Sequence, residues 1–153
     1  MDCNFFSKKH NINDVVPLHI YVLKFDGCSK GNPGPSGAGA VLYKNNEEIW
    51  SNSIYVGDNQ TNNYAEYSGL VLGLNQVVNM SIKNISILGD SEIVIKQMKG
   101  LYKVKSANLL DLYNVSKRLS RHFDSVEYIH IAREYNKRAD ELANYGLTKK
   151  NIR

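Results

Sequence analysis

At 153 residues, with 42% hydrophobic and 22% charged side chains, the chain is sized for one globular domain with a proper core and leaves little room for a second. No apolar run approaches the roughly 20 residues that a membrane-spanning helix needs, and two cysteines, Cys3 and Cys28, exclude a disulfide framework and a cysteine zinc site. The net charge of +4 is compatible with a polyanionic partner but does not single one out.

Residues 1–17 show no periodicity and close at Pro17, so they read as a loose extension ahead of a domain covering 18–150. The opening MDCNFFSKKHNIND lacks the charge order and the cleavage site of a secretory signal, which places the chain inside a cell, in the cytoplasm. LHIYVLKF is dense in apolar and β-favouring residues and predicts a buried strand ending at Asp26-Gly27. GCSKGNPGPSG then holds four glycines and two prolines in eleven residues and predicts a loop. AGAVLYK and EEIWSNSIYV predict two more strands; Asn45-Asn46 between them tolerate positive φ, so the pair reads as an antiparallel hairpin. GDNQTNN reads as the next loop. From 64 to 80, Ala65, Leu70, Leu74, Val77 and Val78 keep one helical face, and Asn63 with Glu66 three residues on has the form of a capping box. NISILG predicts a short strand, and Asp90-Ser91 opens a helix closed by Gly100. A further helix covers 106–122 with Ser106 as its cap, SVEYIHIA alternates like a strand, and Asn136 is placed to cap a last helix reaching about Leu147.

The order is βββαβααβα, without repeat or linker. Three strands in a meander followed by strands separated by helices give an α/β fold: a mixed five-stranded sheet with helices on both faces. In such open sheets ligands bind beyond the carboxyl ends of the parallel strands, where the strand order reverses. Asp26 ends the first strand and Asp90 follows the fourth, so parallel pairing of those strands sets the two carboxylates side by side. Glu66 and Asp140 open the first and last helices. A helix N-terminus accommodates an acid for electrostatic reasons alone, but four acids on one rim would repel and raise each other's pKa. A hard divalent cation, Mg²⁺ or Mn²⁺, removes that conflict.

FDGCSKGNPGPSGAG, TNNYAEY, LGDSEIVIKQMKG and AREYNKRADELAN, in this order from about 20 to 147, resemble the four signature stretches of type 1 ribonuclease H. The resemblance implies the ribonuclease H-like fold with strand order 3-2-1-4-5, and a monomer that hydrolyses the RNA strand of RNA–DNA hybrids to leave 3′-hydroxyl and 5′-phosphate ends. It carries the family's catalytic and metal-binding acids onto Asp26, Glu66, Asp90 and Asp140. Two ions about 3.5–4 Å apart would clamp the scissile phosphate, with Asp26 bridging both, Glu66 and Asp90 on one, and Asp140 on the other. It also implies that Asn32, Asn62 and Asn63, with backbone groups of Gly27, Cys28 and Ser29, read the 2′-hydroxyl side of the hybrid, and that Thr61 grips a DNA-strand phosphate. Turn and cap chemistry is the competing explanation for the asparagines.

Other signals are weaker. The glycine loop lacks a GK[ST] ending and precedes a strand, so it is not a P-loop; Cys28 beside Asp26 reads as a bystander thiol. The family's best-known branch carries a helper histidine on a flexible loop before the last helix. Here His130 lies in a strand, the connection AREYN is short, and Arg133 is the preferred phosphate contact, a pattern nearer the archaeal and plant-like branch. Only LYKVK separates the middle helices, so the basic protrusion of some relatives is missing; Lys96, Lys99, Lys103 and Lys105 remain candidates for DNA-strand phosphates, with a solvated charged face as the alternative. A junction resolvase of the same fold and a non-catalytic hybrid-binding module are the rival readings.

Overall fold

The computed structural model describes residues 16–150; of the extension expected at 1–17, residues 1–15, with Cys3, lie outside the described residues. Five strands form one sheet: β1 (Tyr21–Ser29), β2 (Gly34–Lys44), β3 (Glu47–Gln60), β4 (Asn84–Gly89) and β5 (Ser125–His130). The order across it is β3-β2-β1-β4-β5, with β1, β2 and β3 antiparallel and β1, β4 and β5 parallel, as the sequence predicts. Four α-helices accompany it: α1 (Asn62–Asn79), α2 (Glu92–Met98), α3 (Ala107–Ser120) and α4 (Lys137–Gly146), with single 3-10 turns at Arg133–Tyr135 and Leu147–Lys149.

One face of the sheet carries α1, α2 and α3 over the main core. Leu23, Phe25, Leu42, Ile85 and Ile87 from the strands meet Leu70, Leu74, Val77, Val94 and Ile95 from the helices, all essentially inaccessible to water. The predicted apolar face of α1 is this contact, with Ala65, Leu70, Leu74 and Val77 fully buried and Val78 partly so. The opposite face carries α4, whose Ala139 and Leu142 pack on Val41. Asn45 and Asn46 adopt φ of 52° and 67°, the left-handed pair of a tight hairpin between β2 and β3.

Two predicted loops are largely strand. GCSKGNPGPSG narrows to Lys30–Pro33, because β1 continues through Ser29 and β2 begins at Gly34, with Cys28 opposite Gly37 and Ser29 opposite Ser36. Gly37 there, like Gly39 further along β2, serves packing: a Cβ on Gly37 would stand 2.3 Å from the Ala143 carbonyl oxygen, and one on Gly39 2.4 Å from the Leu142 Cβ. They let α4 lie directly on β2. GDNQ likewise belongs to β3, which runs to Gln60 opposite Gly34. The first strand also starts later than predicted. Leu18 and His19 instead cross β4 and β5, with the Leu18 N–H donating to Glu127 Oε2 at 2.6 Å and the His19 N–H to Ser86 Oγ at 3.2 Å.

Candidate active site

Phe25 is in register with Gly89 across the parallel β1–β4 pair, so Asp26 and Asp90 are the next residues along adjacent strands. The strand order reverses there, β2 on one side of β1 and β4 on the other, which opens the crevice that open α/β sheets use for ligands. Glu66 reaches the same point from α1 because Gly27 has no side chain: a Cβ there would lie 2.1 Å from the Ala65 carbonyl carbon and 2.3 Å from the Glu66 nitrogen. One carboxylate oxygen from each of Asp26, Glu66 and Asp90 lies within 4.8 Å of the other two. Asp140, in the first turn of α4 and partly exposed, lines the same cleft of about 520 Å³.

The cap of α1 differs from the capping box that the sequence suggests. Thr61 is the N-cap, its Oγ1 accepting from the Tyr64 N–H at 3.1 Å, and the helix starts at Asn62. Glu66 therefore sits a full turn inside the helix rather than at its first turn, and the helix dipole does not account for it. It is 7% exposed and Asp26 is 4% exposed. Burial pushes the Asp26 carboxyl up to about 7, and the charge of Asp90 adds to the rise. Burial, then the charge of Asp26, drives Glu66 well above the carboxylate range, so the pair retains a proton near neutrality. Asp90 is raised by burial too.

These groups fit a divalent cation. Glu66 Oε2 is buried without a hydrogen-bond partner, and among the described residues no lysine or arginine forms an ion pair with Asp26, Glu66 or Asp90. Clustered carboxylate oxygens with an unmet lone pair are the donor set that hard cations take.

Asn136 stands at the N-cap position that the sequence assigns to it, but its side chain makes no capping hydrogen bond. Instead Nδ2 donates to the Phe25 carbonyl at 2.9 Å and to Asp90 Oδ2 at 3.0 Å, fully buried, which ties the end of β1 to the Asp90 carboxylate and opposes its upward shift. Asn144 was also missed: its Nδ2 donates to the Asp140 carbonyl at 2.9 Å and lies 3.4 Å from Asp140 Oδ1. Its position four residues after Asp140 on a helix was the available signal. Lys30 and Ser91 line the cleft as well, the latter capping α2 through the Val94 N–H.

The three asparagines divide. Asn62 Oδ1 accepts from the Ser29 N–H at 2.8 Å, and Asn32 Oδ1 accepts from the Asn62 N–H at 2.9 Å. Asn32, at φ 35°, therefore holds the β1–β2 loop to the start of α1. With both acceptors engaged internally, the exposed Nδ2 groups are left as donors. Asn62 and Asn63 line the cleft, whereas Asn32 does not. Gly27, Cys28 and Ser29 line it too, but the Gly27 N–H is bonded to Asp26 Oδ1 at 2.9 Å and the Ser29 N–H to Asn62, so those two amides have no hydrogen to give a substrate.

Arg133 stands at the cleft rim, highly exposed, 3.9 Å from Asp140 Oδ1. His130 closes β5 outside the cleft, its Nε2 3.3 Å from the Asp90 carbonyl oxygen. Lys96 is bonded to Glu92 at 2.6 Å and lies over the Tyr102 ring, while Lys99, Lys103 and Lys105 are exposed and away from the cleft.

A family model described as reverse transcriptase-like matches residues 24–146. The chain is 40% identical over 127 residues to the bifunctional protein Rv2228c of Mycobacterium tuberculosis, covering 82% of this chain and 35% of that protein, so it spans about a third of that relative's length. It is 34% identical over 140 residues to a protein named ribonuclease H from Pseudomonas savastanoi pv. phaseolicola, covering 80% of this chain and 89% of that one. Among solved structures, LC11-RNase H1 in complex with an RNA/DNA hybrid superposes with a TM-score of 0.79 at 31% identity, over 84% of this chain and 97% of that one.

Proposed function

The chain belongs to the type 1 ribonuclease H family, and from that membership we propose that it is an endonuclease that hydrolyses the RNA strand of RNA–DNA hybrids, leaving 3′-hydroxyl and 5′-phosphate ends. The observation that carries the reading is the meeting of Asp26, Glu66 and Asp90 at the β1–β4 junction, with Asp140, Asn62 and Asn63 lining the same cleft. A relative solved with an RNA/DNA hybrid supports the choice of substrate.

Asp26, Glu66, Asp90 and Asp140 would together hold two Mg²⁺ or Mn²⁺ ions, which supply a Lewis acid for the attacking water and for the leaving oxygen. The chain's own part is to prepare their place. Asn136 fixes Asp90 relative to β1, Gly27 brings Glu66 against Asp26, and Asn144 holds Asp140. Asn32 and Asn62, acceptors engaged, present N–H donors to the minor-groove face, where they bond the 2′-hydroxyl oxygen and base acceptors. Asn63 and Thr61 flank them. Arg133 contacts a phosphate at the rim and competes for Asp140. Lys99, Lys103 and Lys105 act at longer range, making binding salt-sensitive. The protein works as a monomer.

The test is a substrate panel: RNA–DNA hybrid, RNA duplex, DNA duplex and a four-way junction, each with Mg²⁺, for the native protein and Asp90→Asn. Cleavage of the hybrid alone, abolished by the substitution, is the expected result. Cutting of the junction in its place would assign the site to a resolvase, and binding without cleavage would make it a hybrid-binding module.

A further inference from the structure

β5 ends the sheet, and its outer edge is unpaired among the described residues. The Ser125 N–H donates to the Lys83 carbonyl at 3.2 Å and the Ile131 N–H to the Gly89 carbonyl at 3.0 Å. In a parallel pair the bonded residues alternate, so Ser125, Glu127, Ile129 and Ile131 turn their amides toward β4. Val126, Tyr128 and His130 turn N–H and C=O outward, and no backbone partner meets them among the described residues. Edge strands of this kind pair readily with another extended chain unless something covers them.

A groove of about 680 Å³ follows this edge, lined by all of 126–130 and faced by Lys99, Lys117 and Ser120. The Glu127 side chain is bonded to Ser86 Oγ at 2.5 Å and to the Leu18 N–H, on the far face of the sheet, while Val126 and Tyr128 lie on the groove side with the Tyr128 hydroxyl 2.5 Å from Ser120 Oγ. Lys99 and Lys117 form no ion pair among the described residues; Lys117 Nζ rests on the Met98 carbonyl at 3.4 Å. The groove thus offers three outward backbone pairs along a strand about 20 Å long, with two unmatched cations beside them.

We propose that this edge is a docking site for an extended acidic peptide segment of a partner protein, which adds to β5 as a sixth strand and places carboxylates against Lys99 and Lys117. Main-chain hydrogen bonds would supply affinity and the lysines the selection. A second copy of this chain does not suit the site, because two β5 edges would bring two sets of these lysines together.

The probes are a seven-residue peptide alternating glutamate with valine, the same peptide with lysine for glutamate, and the acidic peptide N-methylated at alternate amides in either phase. With ¹⁵N-labelled protein, the acidic peptide should shift the amides of Val126, Tyr128 and His130 and slow their hydrogen exchange. The lysine peptide and at least one N-methylated phase should bind at least tenfold more weakly. Lys99→Glu with Lys117→Glu should weaken binding tenfold or more. Val126→Pro, which deletes an outward N–H and leaves the β4 ladder intact, should do the same with an unchanged circular dichroism spectrum. The proposal is overturned if those amides do not respond, if the lysine peptide or both N-methylated peptides bind equally well, or if single-stranded DNA shifts the same amides more strongly than the acidic peptide.

Discussion

Replacing Asn136 by alanine removes two hydrogen bonds at once from a fully buried position, at 2.9 Å to the Phe25 carbonyl and 3.0 Å to Asp90 Oδ2. A buried carbonyl left without a donor costs about 1–3 kcal/mol, and a bond to a charged group is worth about 1.5–3 kcal/mol. Against this, the substitution deletes the Asn136 Oδ1 atom, itself buried without a partner, and recovers about 1 kcal/mol. The net loss is about 1.5–5 kcal/mol, which in a chain of this size lowers the melting temperature by roughly 3–20 °C. The same change frees Asp90 to rotate away from Asp26, so the Mg²⁺ concentration needed for half-maximal hybrid cleavage should rise about tenfold or more. Urea unfolding with EDTA present measures the first effect and a Mg²⁺ titration of cleavage the second. A stability within about 0.5 kcal/mol of the native protein, with an unshifted Mg²⁺ requirement, would refute the reasoning, since neither bond would then carry the load assigned to it.

Three further outcomes follow from the cleft. Asp26 and Glu66 have folded pKa values raised above their unfolded ones, so the folded state holds protons that the unfolded chain releases. Without metal, their contribution to stability is therefore fullest at low pH; the Asp26 part is lost as pH rises from about 4 to about 7, and the Glu66 part is lost as pH rises through its own raised pKa; melting curves in EDTA should show this fall, and Mg²⁺ should flatten it. Asn62→Asp keeps an acceptor for the Ser29 N–H and places its charge favourably at the start of α1, but it turns the outward donor into an anion. The fold should survive while KM for the hybrid rises about tenfold, as steady-state kinetics will show. His130→Ala should lower the rate less than tenfold, and Arg133→Ala should lower it more, because only Arg133 lines the cleft.

Much of this fold is legible in the sequence because its signals are periodic. The α1 apolar stripe, the Asn45-Asn46 hairpin and the βββαβααβα order each follow from local chemistry, and the parallel β1–β4 pairing that brings Asp26 to Asp90 follows from topology. What misled the reading was chemistry with two meanings. Gly37 reads as a loop residue, yet it lies in a strand and is small because α4 presses on it. Asn63 and Asn136 both have the sequence form of helix caps; Thr61 caps α1 instead, and Asn136 turns inward to Phe25 and Asp90. A buried asparagine bridging two strand ends leaves no periodic trace, since its partners are 111 and 46 positions away. The use of the Asn32 and Asn62 oxygens to lock a loop to a helix is equally invisible before the backbone is placed.

The most direct test of the account labels each strand of one RNA–DNA hybrid separately and follows cleavage with Mg²⁺, with EDTA, and with Asp26→Asn. The account predicts that the RNA strand alone is cut, that EDTA stops the reaction, and that Asp26→Asn lacks it while melting as a folded protein. Cutting of the DNA strand, or RNA cleavage that persists in EDTA or in the variant, would contradict it.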